Sequence, residues 1–159
     1  MTNLPPKNLV LLAAGACAGA LLLMKRTHSK KVRIECKACE NPNTEKLSNE
    51  SVEIEVSKRG LWTLSSDKTR IIRNIVCKNF QCALDYLAEV GAVAEAHSHH
   101  PDLHLENYRV IRLEIYTHSQ GGLTEYDFTL ADAIDAVHVS YSPKFLREQN
   151  ARLEATTRS

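Results

Sequence analysis

The sequence has little of several things that would narrow its function at once. Its 159 residues include one tryptophan, six glycines and five prolines, and aromatic residues amount to 6%. Twenty Lys and Arg stand against nineteen Asp and Glu, for a formal net charge of +1. Neither a broad basic footprint for nucleic acid nor an acidic tail is therefore present. The five cysteines, Cys17, Cys36, Cys39, Cys77 and Cys82, are odd in number and lack the spacing of a small disulfide scaffold, which points the folded part towards a reducing compartment. Cys36 and Cys39 make a lone CxxC, without the second ligand pair of a zinc site and without a βαβ pattern around it. The length allows one ordinary domain and a tail.

What is present begins with an apolar run. Leu9 to Met24 carries no charge, follows Lys7 and precedes Lys25, Arg26, Lys30, Lys31 and Arg33. As a helix it would measure about 24 Å, against a hydrocarbon layer of about 30 Å, which suits a short anchor with snorkelling flanks. A cleavable secretory signal fits less well, because basic residues follow the run where a cleavage site needs small ones. The positive-inside bias expects a membrane-anchored chain with its domain facing the cytosol. A mitochondrial or other organelle address is the alternative, since no acidic residue occurs before Glu35. Residues 1–32 are thus expected as an anchor helix and basic linker, 33–142 as the domain, and 143–159 as a polar tail.

Within the domain the pattern becomes periodic after Gly60. Leu61, Trp62 and Leu64 suggest a short strand and residues 71–80 a second, together a hairpin. Asn79 is placed to cap a helix whose apolar positions are Phe80, Ala83, Leu84, Leu87, Val90 and Ala94, with Pro101 as its stop. Residues 108–118 alternate, with Ile111, Leu113 and Ile115 on one face and Arg112, Glu114, Tyr116 and His118 on the other. Thr124 and Asp127 have capping-box spacing ahead of Leu130, Ala131, Ile134 and Val137. The fold class expected is α+β, with helices on one face of an antiparallel sheet.

Histidines concentrate where the first long helix ends and where the following strand ends: His97, His99 and His100 before Pro101, and His118. Imidazoles titrate nearest neutrality, so two of them can give and take protons in one site. A helix C-terminus favours the charged ring, and Glu95, four residues before His99, is spaced to orient it. Two plainer readings compete: exposed histidines with no task, or zinc held by a subset of His97, His99, His100, His104 and His118. Adjacent His99 and His100 do not readily share one ion, and no HExxH-type spacing occurs.

Glu95, then His99-His100-Pro101, Tyr108, Thr117-His118, Gly121 to Thr124, Asp127 and Leu130-Ala131 follow one another in an order that resembles the signature of pterin-4a-carbinolamine dehydratases. The likeness extends over roughly Cys36 to Val137, and Cys36 and Cys39 look like a cysteine pair found near the start of many such domains. The resemblance implies a four-stranded antiparallel sheet with helices on one side, assembly into homodimers or homotetramers, and no metal or cofactor. It implies catalytic roles for His99, His118 and His100, pterin binding by His100 together with Glu95, Trp62 and Pro101, and support from Asp127 and Thr117. The activity implied is dehydration of a 4a-hydroxytetrahydropterin to the quinonoid dihydropterin in tetrahydrobiopterin recycling. Two other readings are a non-enzymatic dimerisation module and a membrane-anchored zinc-binding protein. His97, His104 and the N-terminal apolar run depart from the family pattern.

Overall fold

The computed structural model describes residues 36–157. The anchor expected at residues 9–24 lies outside the described residues, and among the described residues no helix is long and apolar enough to cross a membrane. The order of elements is α1 (Lys37–Glu40), α2 (Asn49–Ser57), β1 (Thr63–Leu64), β2 (Ile71–Val76), α3 (Phe80–His97), β3 (Asp102–Glu106), β4 (Val110–Ile115), a 3-10 turn (His118–Gln120), α4 (Glu125–Asp135) and α5 (Pro143–Thr157). The four strands form one antiparallel sheet in the order β1-β2-β4-β3.

Alternation builds the sheet's inner face. Ile71 and Ile75 of β2 and Ile111, Leu113 and Ile115 of β4 are all buried, and β2 and β4 pair centrally from Ile71 opposite Ile115 to Val76 opposite Val110. Against them lie Tyr86 and Val90 of α3 and Phe128, Leu130, Ala131 and Ile134 of α4, so these two helices press their apolar stripes on one sheet face. Fully burying one such side chain contributes roughly 1.5–3 kcal/mol, which makes this layer the main source of stability.

Local chemistry sets the boundaries. Asn79 caps α3 by accepting the Cys82 N–H at 2.9 Å. Ser98 ends the helix in the left-handed region with φ 50°, its N–H turned back onto Ala94 and Glu95 carbonyls. That stop comes before Pro101, and it frees Asp102–Glu106 to form the edge strand β3, which the sequence pattern had not placed. Asn107 and Tyr108, both at positive φ, turn the chain from β3 into β4. The polar tail is helical as α5, whose Phe145 stacks on Tyr141 with centroids 5.9 Å apart, and Tyr141 in turn bridges Cys77 and accepts a hydrogen bond from Arg73 Nη2 at 2.9 Å.

Candidate active site

The left-handed Ser98 decides where the histidines point. The spacing predicts His99 on the last helical turn with Glu95 beside it, but α3 ends at His97. His100 instead approaches Glu95, Nε2 to Oε1 at 3.3 Å, and remains 43% exposed. His99 turns inward and is 2% exposed, with its Nε2 2.7 Å from Asp127 Oδ1. A carboxylate only accepts, so Nε2 carries the proton.

Asp127 joins the two ends of the site. It occupies the third position of α4 and is fully buried. Its Oδ2 accepts from the Thr124 N–H at 2.7 Å, which completes the capping box expected from the spacing. The hydroxyls of Thr117 and Thr124 lie 2.9 and 3.0 Å from the same oxygen and 2.9 Å from each other, so their two protons serve two of these three contacts. One carboxylate thereby holds the imidazole that follows α3 and the residue immediately before His118. Thr117 is also fixed by its N–H to the Gly122 carbonyl at 2.9 Å, and Gly121, at φ 58°, lets the chain reverse there.

His118 opens the 3-10 turn and is exposed. Its ring lies on Tyr116, centroids 4.1 Å apart, and the Arg70 guanidinium covers that tyrosine at 4.3 Å. Arg70 in turn donates to Glu114 at 2.7 Å. Glu114 also pairs with Arg112 and stands 3.8 Å from His104, and the Arg70 hydrogen bond holds its carboxyl below the usual carboxylate range. Tyr116, Arg70 and Glu114 fall outside the ordered motif that the sequence displays. The alternation that put Glu114, Tyr116 and His118 on one face was the available signal.

Trp62, which the resemblance assigns to pterin binding, lies just before β1. It is a buried core residue whose indole N–H donates to Asp135 Oδ1 at 2.9 Å, beside the Arg73 guanidinium at 2.6 Å. Burial raises the Asp135 carboxyl above its ordinary range, against the pull of Arg73 and the indole. Pro101 sits between His100 and β3 and is half-buried. A cleft of about 510 Å³ lined by Asn41, Thr44, Leu47, Thr124, Tyr126 and Thr129 contains none of the histidines, so volume alone does not mark the site.

The remaining ring nitrogen of His99, Nδ1, faces Cys36 Sγ at 3.6 Å. The segment that brings Cys36 there lies along the 3-10 turn: α1 packs on residues 118–120, Lys46 Nζ donates to the Gly121 carbonyl at 3.1 Å, and the Leu47 N–H donates to Leu123 O at 2.8 Å. Burial pushes the Cys36 thiol above its ordinary range. Among the described residues no group of three or more His, Cys, Asp and Glu side chains is arranged to hold a metal ion, so the zinc reading gains nothing from the geometry.

Residues 45–137 match the model of the family described as pterin 4 alpha carbinolamine dehydratase. A protein of Arabidopsis thaliana named pterin-4-alpha-carbinolamine dehydratase 2, mitochondrial, is 35% identical over 107 residues. That stretch is 66% of this chain and 57% of the plant protein, little more than half of its length. A Chloroflexus aurantiacus protein that carries the dehydratase name provisionally is 38% identical over 92 residues, 58% of this chain and 96% of its own. Among solved structures, one titled transcriptional coactivator/pterin dehydratase from Brucella melitensis superposes with a TM-score of 0.54 at 25% identity, covering 58% of this chain and 97% of that one. With the family match extending over more than half of the sequence, and the four-stranded sheet and its helices in agreement, the chain belongs to the pterin-4a-carbinolamine dehydratase family of hydro-lyases.

Proposed function

We propose that this chain dehydrates 4a-hydroxytetrahydrobiopterin to quinonoid dihydrobiopterin and water, with His99 and His118 as the proton-handling pair. The observation that carries the reading is the buried Asp127, which holds His99 through Nε2 and Thr117 through its hydroxyl, and so ties both arms of the motif to one anchor. The substrate loses a hydroxyl from C4a and a proton from N5. One imidazole, protonated at the start, delivers its proton to the departing oxygen, and the other receives the proton from N5, so that water leaves and the ring system becomes the quinonoid form.

Nε2 of His99 is committed to Asp127, so its proton traffic runs through Nδ1. Engagement of substrate by His99 therefore requires Cys36 to withdraw from that nitrogen. His118, exposed at the opposite arm with its ring tilted against Tyr116, reaches substrate without such a step. His100 with Glu95, next to Pro101, supplies polar and apolar contacts for a flat heterocycle at the rim. Trp62, given its partners, acts through the core and the placing of β1 and α4, not as a lining residue. The assembly we expect is a homodimer or homotetramer. The plant relative's name, together with the absence of acidic residues before Glu35, favours an organelle address over a bare anchor.

The test is stopped-flow dehydration of a synthetic 4a-hydroxytetrahydropterin by the full chain, against spontaneous decay. His118→Ala should lower turnover at least a hundredfold, within the range general acid-base groups contribute. Because the ring is exposed, thermal stability should hardly change. Undiminished turnover in a folded His118→Ala chain would remove His118 from the chemistry.

A further inference from the structure

Cys36, His99 and Asp127 form a continuous line of polar contacts: Sγ to Nδ1 at 3.6 Å, then Nε2 to Oδ1 at 2.7 Å. The order thiol, imidazole, carboxylate is the arrangement that lets a histidine, oriented by a fixed acid, take a proton from a sulfur nucleophile. The direction of each bond follows from its neighbours. Asp127 only accepts, so Nε2 carries hydrogen; in the neutral ring Nδ1 is then a lone pair, and the Cys36 S–H is the donor to it. Both Cys36 and Cys39 are partly exposed and free.

The two cysteines are also placed to join. The Glu40 N–H donates to the Cys36 carbonyl at 2.9 Å, closing a helical turn over residues 36–40. Residues three apart in such a turn have Cβ atoms about 5–6 Å from each other, and a disulfide needs about 3.8 Å. A small adjustment at Cys36, which precedes the first residue of α1, closes that gap and swings Sγ away from Nδ1. Residues 36–44 precede the stretch that matches the family model, so the contact on His99 comes from outside that stretch.

From this geometry we infer that Cys36 and Cys39 are a thiol–disulfide exchange site served by His99 and Asp127, and that closing the disulfide releases Nδ1 of His99 for dehydration. The second half rests on the reading of His99 given above. In the exchange, Nδ1 takes the Cys36 proton and the thiolate attacks one sulfur of a low-molecular-weight disulfide RSSR. Cys36–S–SR forms, and the expelled RS⁻ takes up the proton from Nδ1. Cys39 then gives its proton to Nδ1, attacks Cys36 Sγ and displaces the second RS⁻, which again leaves as RSH. Two cysteine thiols are oxidised and one disulfide is reduced to two thiols, with no other reactant. The protein disulfide carries no S–H, so Nδ1 has lost its donor.

The experiment uses the reduced full chain treated with glutathione disulfide. Non-reducing peptide mapping follows the cysteines, ¹⁵N spectra of the labelled imidazole follow His99, and stopped flow follows dehydration. The Cys36–Cys39 disulfide should appear at least tenfold faster than modification of the similarly accessible Cys82, the Nδ1 resonance should move, and turnover should rise at least threefold. Cys36→Ala should turn over at the oxidised level and ignore glutathione disulfide, and Cys39→Ser should accumulate the mixed disulfide at Cys36. Modification of Cys36 no faster than of Cys82, or a disulfide that leaves the Nδ1 resonance in place, overturns the exchange site. Equal turnover in the two redox states overturns its coupling to dehydration. If the disulfide forms and Nδ1 responds but neither state dehydrates pterin, the exchange site stands and the dehydratase reading falls.

Discussion

Replacing Asp127 by Asn keeps the shape of the side chain and removes its charge, which isolates what the carboxylate does. Asp127 is fully buried and has four donors around it: His99 Nε2 and the Thr124 N–H at 2.7 Å, and the hydroxyls of Thr117 and Thr124 at 2.9 and 3.0 Å. A hydrogen bond to a charged group contributes roughly 1.5–3 kcal/mol and a neutral one about 1 kcal/mol. Losing the charge therefore weakens each surviving bond by about 0.5–2 kcal/mol, and the amide NH₂ must face either His99 or the threonines, donor against donor. At the lower end of these ranges the sum is about 3 kcal/mol, a large share of the roughly 5–15 kcal/mol that holds a domain folded. In urea, where small domains lose about 1–3 kcal/mol per molar, the unfolding midpoint should fall by about 1.5 M with an unchanged slope. Circular dichroism of the full chain reads it, with Glu125→Gln, an exposed acid in the same helical turn, as the control that barely moves. A loss below about 1 kcal/mol for Asp127→Asn would show that the buried network is not what joins the two arms.

Other outcomes follow from the same contacts. Glu114→Gln should destabilise by about 1–3 kcal/mol at pH 7, since it removes the charge that Arg70 and Arg112 face. Arg70 lowers the folded-state value of Glu114 below its ordinary 4.5, so its contribution is complete above that pH and is lost as pH falls through the folded value. The gap between wild type and variant in urea titrations should accordingly close in acid, and a gap that widens there would contradict the assignment. Trp62→Phe should cost about 1–2 kcal/mol through the lost indole bond to Asp135, measured by calorimetry. As the only tryptophan and 3% exposed, Trp62 should emit at short wavelength when folded and shift red on unfolding. His99→Ala should lower both stability and turnover, whereas His118→Ala should lower turnover alone.

Much of this was legible because alternation and capping are local. Ile111, Leu113 and Ile115 announce a buried strand face, and Thr124 with Asp127 announces a helix start, whatever surrounds them. The helix α2 was not legible: Val52, Ile54 and Val56 recur every second residue, which is the period of a strand, and only Val52 is buried. Nor was the end of α3, because Ser98 adopts a left-handed conformation that usually falls to Gly or Asn, while Pro101 was the visible stop. That one residue separates His99 from His100, sending the first onto Asp127 and the second onto Glu95. The contact between Cys36 and His99 joins residues 63 positions apart, and no periodicity reports such a pairing. Trp62 was given to the pterin site by resemblance alone, and its hydrogen bond to Asp135 depends on where α4 comes to rest.

In the proposed function, two imidazoles held in register by one buried carboxylate remove water from a hydroxylated pterin. Single-turnover stopped flow of 4a-hydroxytetrahydropterin with the full chain reads that step. The quinonoid product should be released far faster than by spontaneous decay, and the rate should return to that background when His99 and His118 are both replaced in a chain that still folds. Dehydration at the background rate by the wild-type chain, in both its reduced and its oxidised state, would contradict that function.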